Sequence, residues 1–259
     1  ARLIREAVKG GAEIVCLQEL FANRYFAQTE DPGGLDLAET IPGPSSRFLS
    51  AAAADNQVTL VGGSIYEKAR DGRYFNTTLI YDAGGKCVGK YRKMHIPQDP
   101  KFYEKYYFSP GNLGYVQVAT PKAVVAPLIC YDQWFPEAAR TNAIHGAEVL
   151  FYPTAIAWFK ELRRDEPFSA RRWENAMRAH ASMNGVFTVA VNRVGREGDL
   201  RFWGGSFISD PFGEIVVRAS ASKDEALVAE IDLRKISMSQ EGWGFMANRR
   251  PDSYQDLLK

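Results

Sequence analysis

The sequence predicts an α/β domain built on mixed sheets, and three observations carry that reading. At least nine apolar runs have strand character, helix-period segments separate several of them, and two pairs of runs are joined by turns containing Asp and Gly. With 259 residues, 46% of them hydrophobic, the chain can bury a large core as a single domain spanning 1–259.

In chain order, ARLIREAVKG (1–10) has the period of an amphipathic helix and runs through a Gly10-Gly11 stop into the strand EIVCLQ (13–18). A helix so placed normally follows a strand in an α/β unit, so a short first strand is expected to be missing ahead of it. SSRFLSAAAADN (45–56) reads as a helix and VTLVGGSIY (58–66) as a strand, followed by the hairpin TTLIYDAGGKCVGKYRK (77–93). VVAPLIC (124–130) leads into the helical EAARTNAIHGA (137–147), and the strand EVLFYPTA (148–155) follows. SARRWENAMRAHASMNG (169–185) is a helix ending at Gly185, before the strand VFTVAVN (186–192). A second hairpin, SFISDPFGEIVVRA (206–219), and a last strand, ALVAEID (226–232), complete the set. Helical crossovers combined with hairpins exclude a purely parallel sheet.

Composition removes several function classes. Lys plus Arg number 32 and Asp plus Glu 31, so no electrostatic footprint for nucleic acid or an anionic membrane exists. No apolar run reaches the length of a membrane span and the first residues do not form a signal peptide. Three scattered cysteines, Cys16, Cys87 and Cys130, argue against a disulfide framework and for the reducing cytoplasm. They do not pair with His95, His145 or His180 at metal-ligand spacing, and nucleotide-binding glycine motifs are absent, so neither a metal nor a cofactor is expected.

The richest stretch for chemistry is LICYDQWFPEAAR (128–140), where a buried strand ends at Cys130 and Pro136 suits the first turn of a helix. A thiol at such a junction can project into a cleft, with nearby backbone N–H groups to hold an oxyanion and lower its pKa. Free cysteine is also a common buried hydrophobe, and this segment alone does not choose between the two. Glu19 closes EIVCLQ between apolar neighbours, where partial desolvation suits a general base, and Lys93 lies at the end of the second hairpin strand. A thiol, a carboxylate and a cation at strand ends are the set that thiol acyl transfer requires. Ser64 and Ser206 follow Gly-Gly pairs but lack the G-x-S-x-G context and a placed histidine.

ELF (19–21), GKYRKMHIP (89–97) and CYDQWFPE (130–137), in that order and spread, resemble the three catalytic segments of the carbon-nitrogen hydrolase (nitrilase) superfamily. The resemblance extends from the first helix to RRPDSYQDLL (249–258). It implies a four-layer αββα sandwich, with Glu19 as general base, Lys93 as transition-state stabiliser and Cys130 as nucleophile. A further glutamate of the family maps to Glu104, which would orient Lys93; paired with Lys101 or Lys105 instead, it would be a rim carboxylate. CLQELFANRYF (16–26), HIPQDPKFYEKYYFSPG (95–111), CYDQWFPEAAR (130–140) and FYPTAIAWF (151–159) are most similar to the branch acting on carbamoyl-amines, implying N-carbamoylputrescine as the small-molecule substrate.

In that mechanism the backbone N–H of Tyr131 would share the oxyanion with Lys93. Tyr25, Trp158 and Glu161 are candidates for the distal ammonium, although Phe159 stands where plant-like relatives carry a glutamate. Arg24, Arg163 and Arg171 keep open a carboxylate-bearing substrate, an N-carbamoyl amino acid or ω-amide. A non-catalytic interaction protein is a third reading, which retention of the triad disfavours. The resemblance also implies a homo-oligomer, a dimer or larger, associated through a face of the sandwich.

Overall fold

Side-chain alternation along the central strands decides the layering of the protein, whose computed structural model describes residues 1–258. The first sheet comprises β1 (Ile14–Cys16), β2 (Thr59–Val61), β3 (Ile65–Lys68), β4 (Tyr74–Tyr81) and β5 (Cys87–Arg92). The second joins β6 (Val118–Ala119), β7 (Val124–Pro127), β8 (Val149–Thr154), β10 (Phe187–Asn192), β13 (Phe207–Ser209) and β14 (Ile215–Arg218). Between these in sequence, β9 (Ala157–Trp158), β11 (Val194–Glu197) and β12 (Leu200–Trp203) make a small antiparallel sheet. Both large sheets are mixed: β1 with β2, and β8 with both β7 and β10, are parallel, while the remaining pairs are antiparallel.

Successive residues of a strand face opposite ways. Leu60 and Leu79 pack under α1 (Arg2–Lys9) and α2 (Pro44–Asn56), against Ile4, Ala7, Leu49 and Ala53. Their neighbours Val61 and Ile80 face the other sheet and meet Val125, Val149, Phe151 and Phe187. On that sheet Leu150, Tyr152 and Ala190 turn outwards beneath Ala138, Ala139, Trp173 and Met177. Those four belong to the later helices α4 (Pro136–Ile144) and α6 (Ser169–Asn184). The short α3 (Glu104–Tyr107) and α5 (Lys160–Asp165) lie in connections, and α7 (Arg234–Trp243) follows the second sheet. The order helix, sheet, sheet, helix is the four-layer αββα sandwich that the family resemblance implied.

Two strand expectations change. VTLVGGSIY is broken at Gly62-Gly63 into β2 and β3, which share the edge of β4 opposite β5. ALVAEID joins no ladder among the described residues, although Val228 and Ile231 pack against the core. Its apolarity records burial against the wall of a groove along β1, whereas a strand also needs a neighbouring edge in register.

The Gly-Gly break prepares the site. Gly63 has φ +60°, and a Cβ there would stand 2.1 Å from the carbonyl oxygen of Gln18. Absence of that atom lets the segment preceding Glu19 lie against the break, where Ser64 Oγ accepts the Leu20 N–H at 2.9 Å. Gly63→Ala is therefore expected to destabilise the protein by roughly 1–3 kcal/mol and to lower activity with it, measured by urea denaturation alongside turnover.

Candidate active site

Lys93 follows the last residue of β5, and the strand alternation that sends Arg92 to Glu67 sends Lys93 the other way, into the interior. Its side chain is fully buried, and Nζ donates to Glu19 Oε1 at 2.8 Å and to Glu104 Oε2 at 2.6 Å. Asn76 on β4 donates from Nδ2 to the same Glu19 oxygen at 2.8 Å, and the Tyr25 hydroxyl donates to Glu104 Oε1 at 2.8 Å. Glu19 Oε2 is buried without a protein partner among the described residues, so its lone pairs stay available to take a proton. Glu104 is buried within the cluster, and Lys101 pairs instead with Asp199, so the rim alternative for Glu104 does not hold.

Cys130 leaves the end of the β7 segment at φ +43° and opens a short 3-10 turn, Cys130–Trp134, ahead of α4 with Pro136 in its first turn. Asp132, fully buried, secures this bend. Its Oδ2 accepts from the Ile129 N–H at 2.9 Å and the Tyr91 hydroxyl at 2.7 Å, while Oδ1 accepts from the His95 N–H at 3.0 Å and contacts His95 Nδ1 at 2.7 Å. One carboxylate thus ties the turn that carries the thiol to the segment that carries Lys93. Within a 3-10 first turn the Tyr131 N–H has no intrahelical acceptor, the condition an oxyanion donor requires.

Electrostatics correct one expectation. Burial pushes the Cys130 thiol well above its ordinary pKa, and the Glu19 charge adds to this while Lys93 opposes it, so the resting thiol is neutral rather than acidified. For Lys93, burial disfavours the charge, but Glu104 and Glu19 outweigh it and hold the ammonium above its usual range. Burial pushes Glu104 up to about 7, with Lys93 opposing and Glu19 reinforcing.

The expected ammonium-binding residues do not gather in one place. Tyr25 is buried with its hydroxyl committed to Glu104, a role the sequence did not suggest. Trp158 packs on the cluster that contains Cys130, its ring 4.9 Å from that of Trp203 and its buried Nε1 without a protein partner among the described residues. Glu161 is exposed on α5. The three candidate arginines, Arg24, Arg163 and Arg171, are exposed, and Arg163 lies 5.0 Å over the Trp158 ring. Ser206 bonds the Asn192 N–H and, like Ser64, supports backbone. Asn76 and Asp132 escaped the sequence reading because their partners lie 57 and 37 to 41 residues away. No cluster of three or more His, Cys, Asp or Glu side chains suited to a metal occurs among the described residues.

The carbon-nitrogen hydrolase profile matches residues 1–239. The chain belongs to the carbon-nitrogen hydrolase family. It is an enzyme that cleaves carbon–nitrogen bonds. It is 42% identical to a Solanum lycopersicum N-carbamoylputrescine amidase, over 99% of this chain and 87% of that one. It is 36% identical to a Francisella tularensis citrullinase, over 99% and 90% respectively. A Helicobacter pylori carbon-nitrogen hydrolase of known structure superposes with a TM-score of 0.95 at 40% identity, covering 100% of this chain and 91% of the other. No helix among the described residues of this carbon-nitrogen hydrolase is long and apolar enough to cross a membrane.

The Glu104 shift has a consequence for stability. Its carboxyl titrates near 4.5 in an unfolded chain and near 7 in the folded one, so the folded state holds the proton more tightly. Stability from this group is then fullest below pH 4.5 and is lost as pH rises through 7. Glu104→Gln should abolish that fall, so the stability of wild type relative to the variant declines as pH rises from 5 to about 7.5, measured by urea titrations across that range.

Proposed function

We propose that the enzyme is a thiol amidohydrolase that converts N-carbamoylputrescine to putrescine, ammonia and carbon dioxide. The observation that carries the chemistry is the convergence of Glu19, Lys93, Glu104 and the neutral thiol of Cys130 in one buried cluster. Glu19 takes the thiol proton as Sγ attacks the ureido carbonyl, and Lys93 Nζ with the Tyr131 N–H holds the tetrahedral oxyanion. Glu19 passes the proton to the departing nitrogen. Water activated by the same carboxylate then hydrolyses the carbamoyl thioester, freeing Cys130 for another cycle and releasing a carbamic acid that breaks down to carbon dioxide and the remaining amine.

Burial suits this sequence of events. A thiol that is neutral at rest ionises as it attacks, beside an ammonium that Glu104 keeps charged. The Solanum lycopersicum relative, an N-carbamoylputrescine amidase, supports the carbamoyl-amine substrate. The Trp158 face, packed on the Cys130 cluster, supports recognition of an ammonium tail.

Arg163 favours a second reading. A guanidinium over Trp158 repels an ammonium and attracts a carboxylate, which suits a carbamoylated amino acid and agrees with the citrullinase relative. Three free cysteines suit the reducing cytoplasm, and exposed Met183, Trp243 and Phe245 on and beside α6 and α7 suit association into a dimer or larger homo-oligomer.

Ammonia release from N-carbamoylputrescine should exceed that from N-carbamoyl-β-alanine when the two are assayed in parallel; preference for the acid would select the Arg163 reading. Cys130→Ala should fold normally by circular dichroism and lose turnover by at least about a thousandfold, as removal of a nucleophile does.

A further inference from the structure

The loop that bears Glu19 and Tyr25 contains neither helix nor ladder, so regular structure does not hold it. Leu20, directly after Glu19, has φ +48°, a left-handed conformation that a leucine rarely adopts and that persists only where surroundings impose it. Arg193, the residue after β10, supplies the constraint from the opposite sheet. Its buried guanidinium donates from Nη2 to the carbonyls of Glu19 at 3.1 Å, Leu20 at 2.8 Å and Asn23 at 3.1 Å. From Nη1 it donates to Asn23 O at 3.0 Å and to Glu197 Oε1 at 2.5 Å. Glu197 completes the grip, because its Oε2 accepts the Tyr25 N–H at 2.6 Å. The face of Phe202 lies 5.4 Å from the guanidinium carbon and backs it.

We propose that Arg193 and Glu197 are a positioning pair for the reaction: together they set the Glu19 carboxylate towards Cys130 and the Tyr25 hydroxyl towards Glu104. Neither touches the reacting atoms. The planar fork of arginine matches this task, since one terminus meets the carbonyls of residues 19, 20 and 23 while the other holds Glu197, a two-ended span that the single nitrogen of an ammonium does not cover. The left-handed Leu20 lies within the segment whose carbonyls, from residues 19, 20 and 23, turn towards the guanidinium. Through Tyr25 and Glu104 the same pair reaches the Lys93 ammonium, so both ends of the ion cluster share one anchor. A purely structural ion pair would stabilise the fold without governing the chemistry.

This inference rests on the proposed roles of Glu19 and Cys130, and the test separates the two. Arg193→Met, Arg193→Lys and Glu197→Gln are compared with wild type in kcat, KM, pH profile and the rate at which iodoacetamide modifies Cys130, followed on the Cys130 peptide by mass spectrometry. Arg193→Met is expected to lose at least about tenfold in kcat with KM within about threefold, and to slow Cys130 alkylation in parallel. Arg193→Lys recovers part of the loss, and Glu197→Gln loses about threefold or more. A folded Arg193→Met enzyme whose kcat and alkylation rate stay within about twofold of wild type overturns the positioning role, whatever its melting temperature. If Arg193→Met does not fold, Glu197→Gln decides by the same two readouts. Turnover retained by Cys130→Ala would instead remove the proposed nucleophile, an outcome independent of the clamp.

Discussion

A single buried ammonium between two carboxylates is the constraint on which the site depends. Lys93 is fully enclosed, and so are Glu19 and Glu104, so each charge has lost its hydration and must be compensated by protein. Compensation is uneven. Glu104 has both oxygens occupied, by Lys93 and Tyr25, whereas Glu19 shares Oε1 between Lys93 and Asn76 and leaves Oε2 free of protein. That asymmetry separates two carboxylates of the same chemistry into one that holds a cation and one that can accept a proton. The thiol is neutral for a related reason: burial first, and then the two carboxylates, outweigh one ammonium.

Strain gathers at Cys130 and beside Glu19. Leu20 next to Glu19 and Cys130 itself both have positive φ, at +48° and +43°. Each is held by bonds from distant chain: Ser64 and Arg193 around Leu20, Asp132 with Tyr91 and His95 around the Cys130 turn. Such conformations survive when their surroundings over-determine them, and the stable sandwich provides that rigidity. The two packed sheets thus do more than bury apolar area. Their strand ends supply fixed points from which side chains of β4, β5 and the β7 segment reach one volume.

Period-two alternation made most strands legible, and the Gly-Gly and Asp-Gly turns marked where they reverse. It failed at 226–232, where apolar side chains pack without a ladder, and at 58–66, where two glycines interrupt a continuous apolar run. Cys130, Glu19, Lys93 and Glu104 could be picked out because each sits in a recognisable local segment. Tyr25 was picked for the wrong contact, since its neighbours in sequence say nothing of Glu104, 79 residues away. Asn76, Asp132, Arg193 and Glu197 carried no local signal at all.

By itself the sequence determined a mixed-sheet α/β domain and which polar side chains stand at strand ends, because both are written in local pattern: alternating apolarity, turn residues, and the ends of apolar runs. The four-layer arrangement and the proposed catalytic roles came from the family resemblance of those segments. Tertiary structure alone decided which oxygen of Glu19 stays free, that the resting thiol is neutral, and that one guanidinium spans 170 or more residues to grip the loop of Glu19. The reason is physical. Desolvation and hydrogen-bond partnership depend on distances between segments remote in the chain, and those distances exist only after the two sheets have packed.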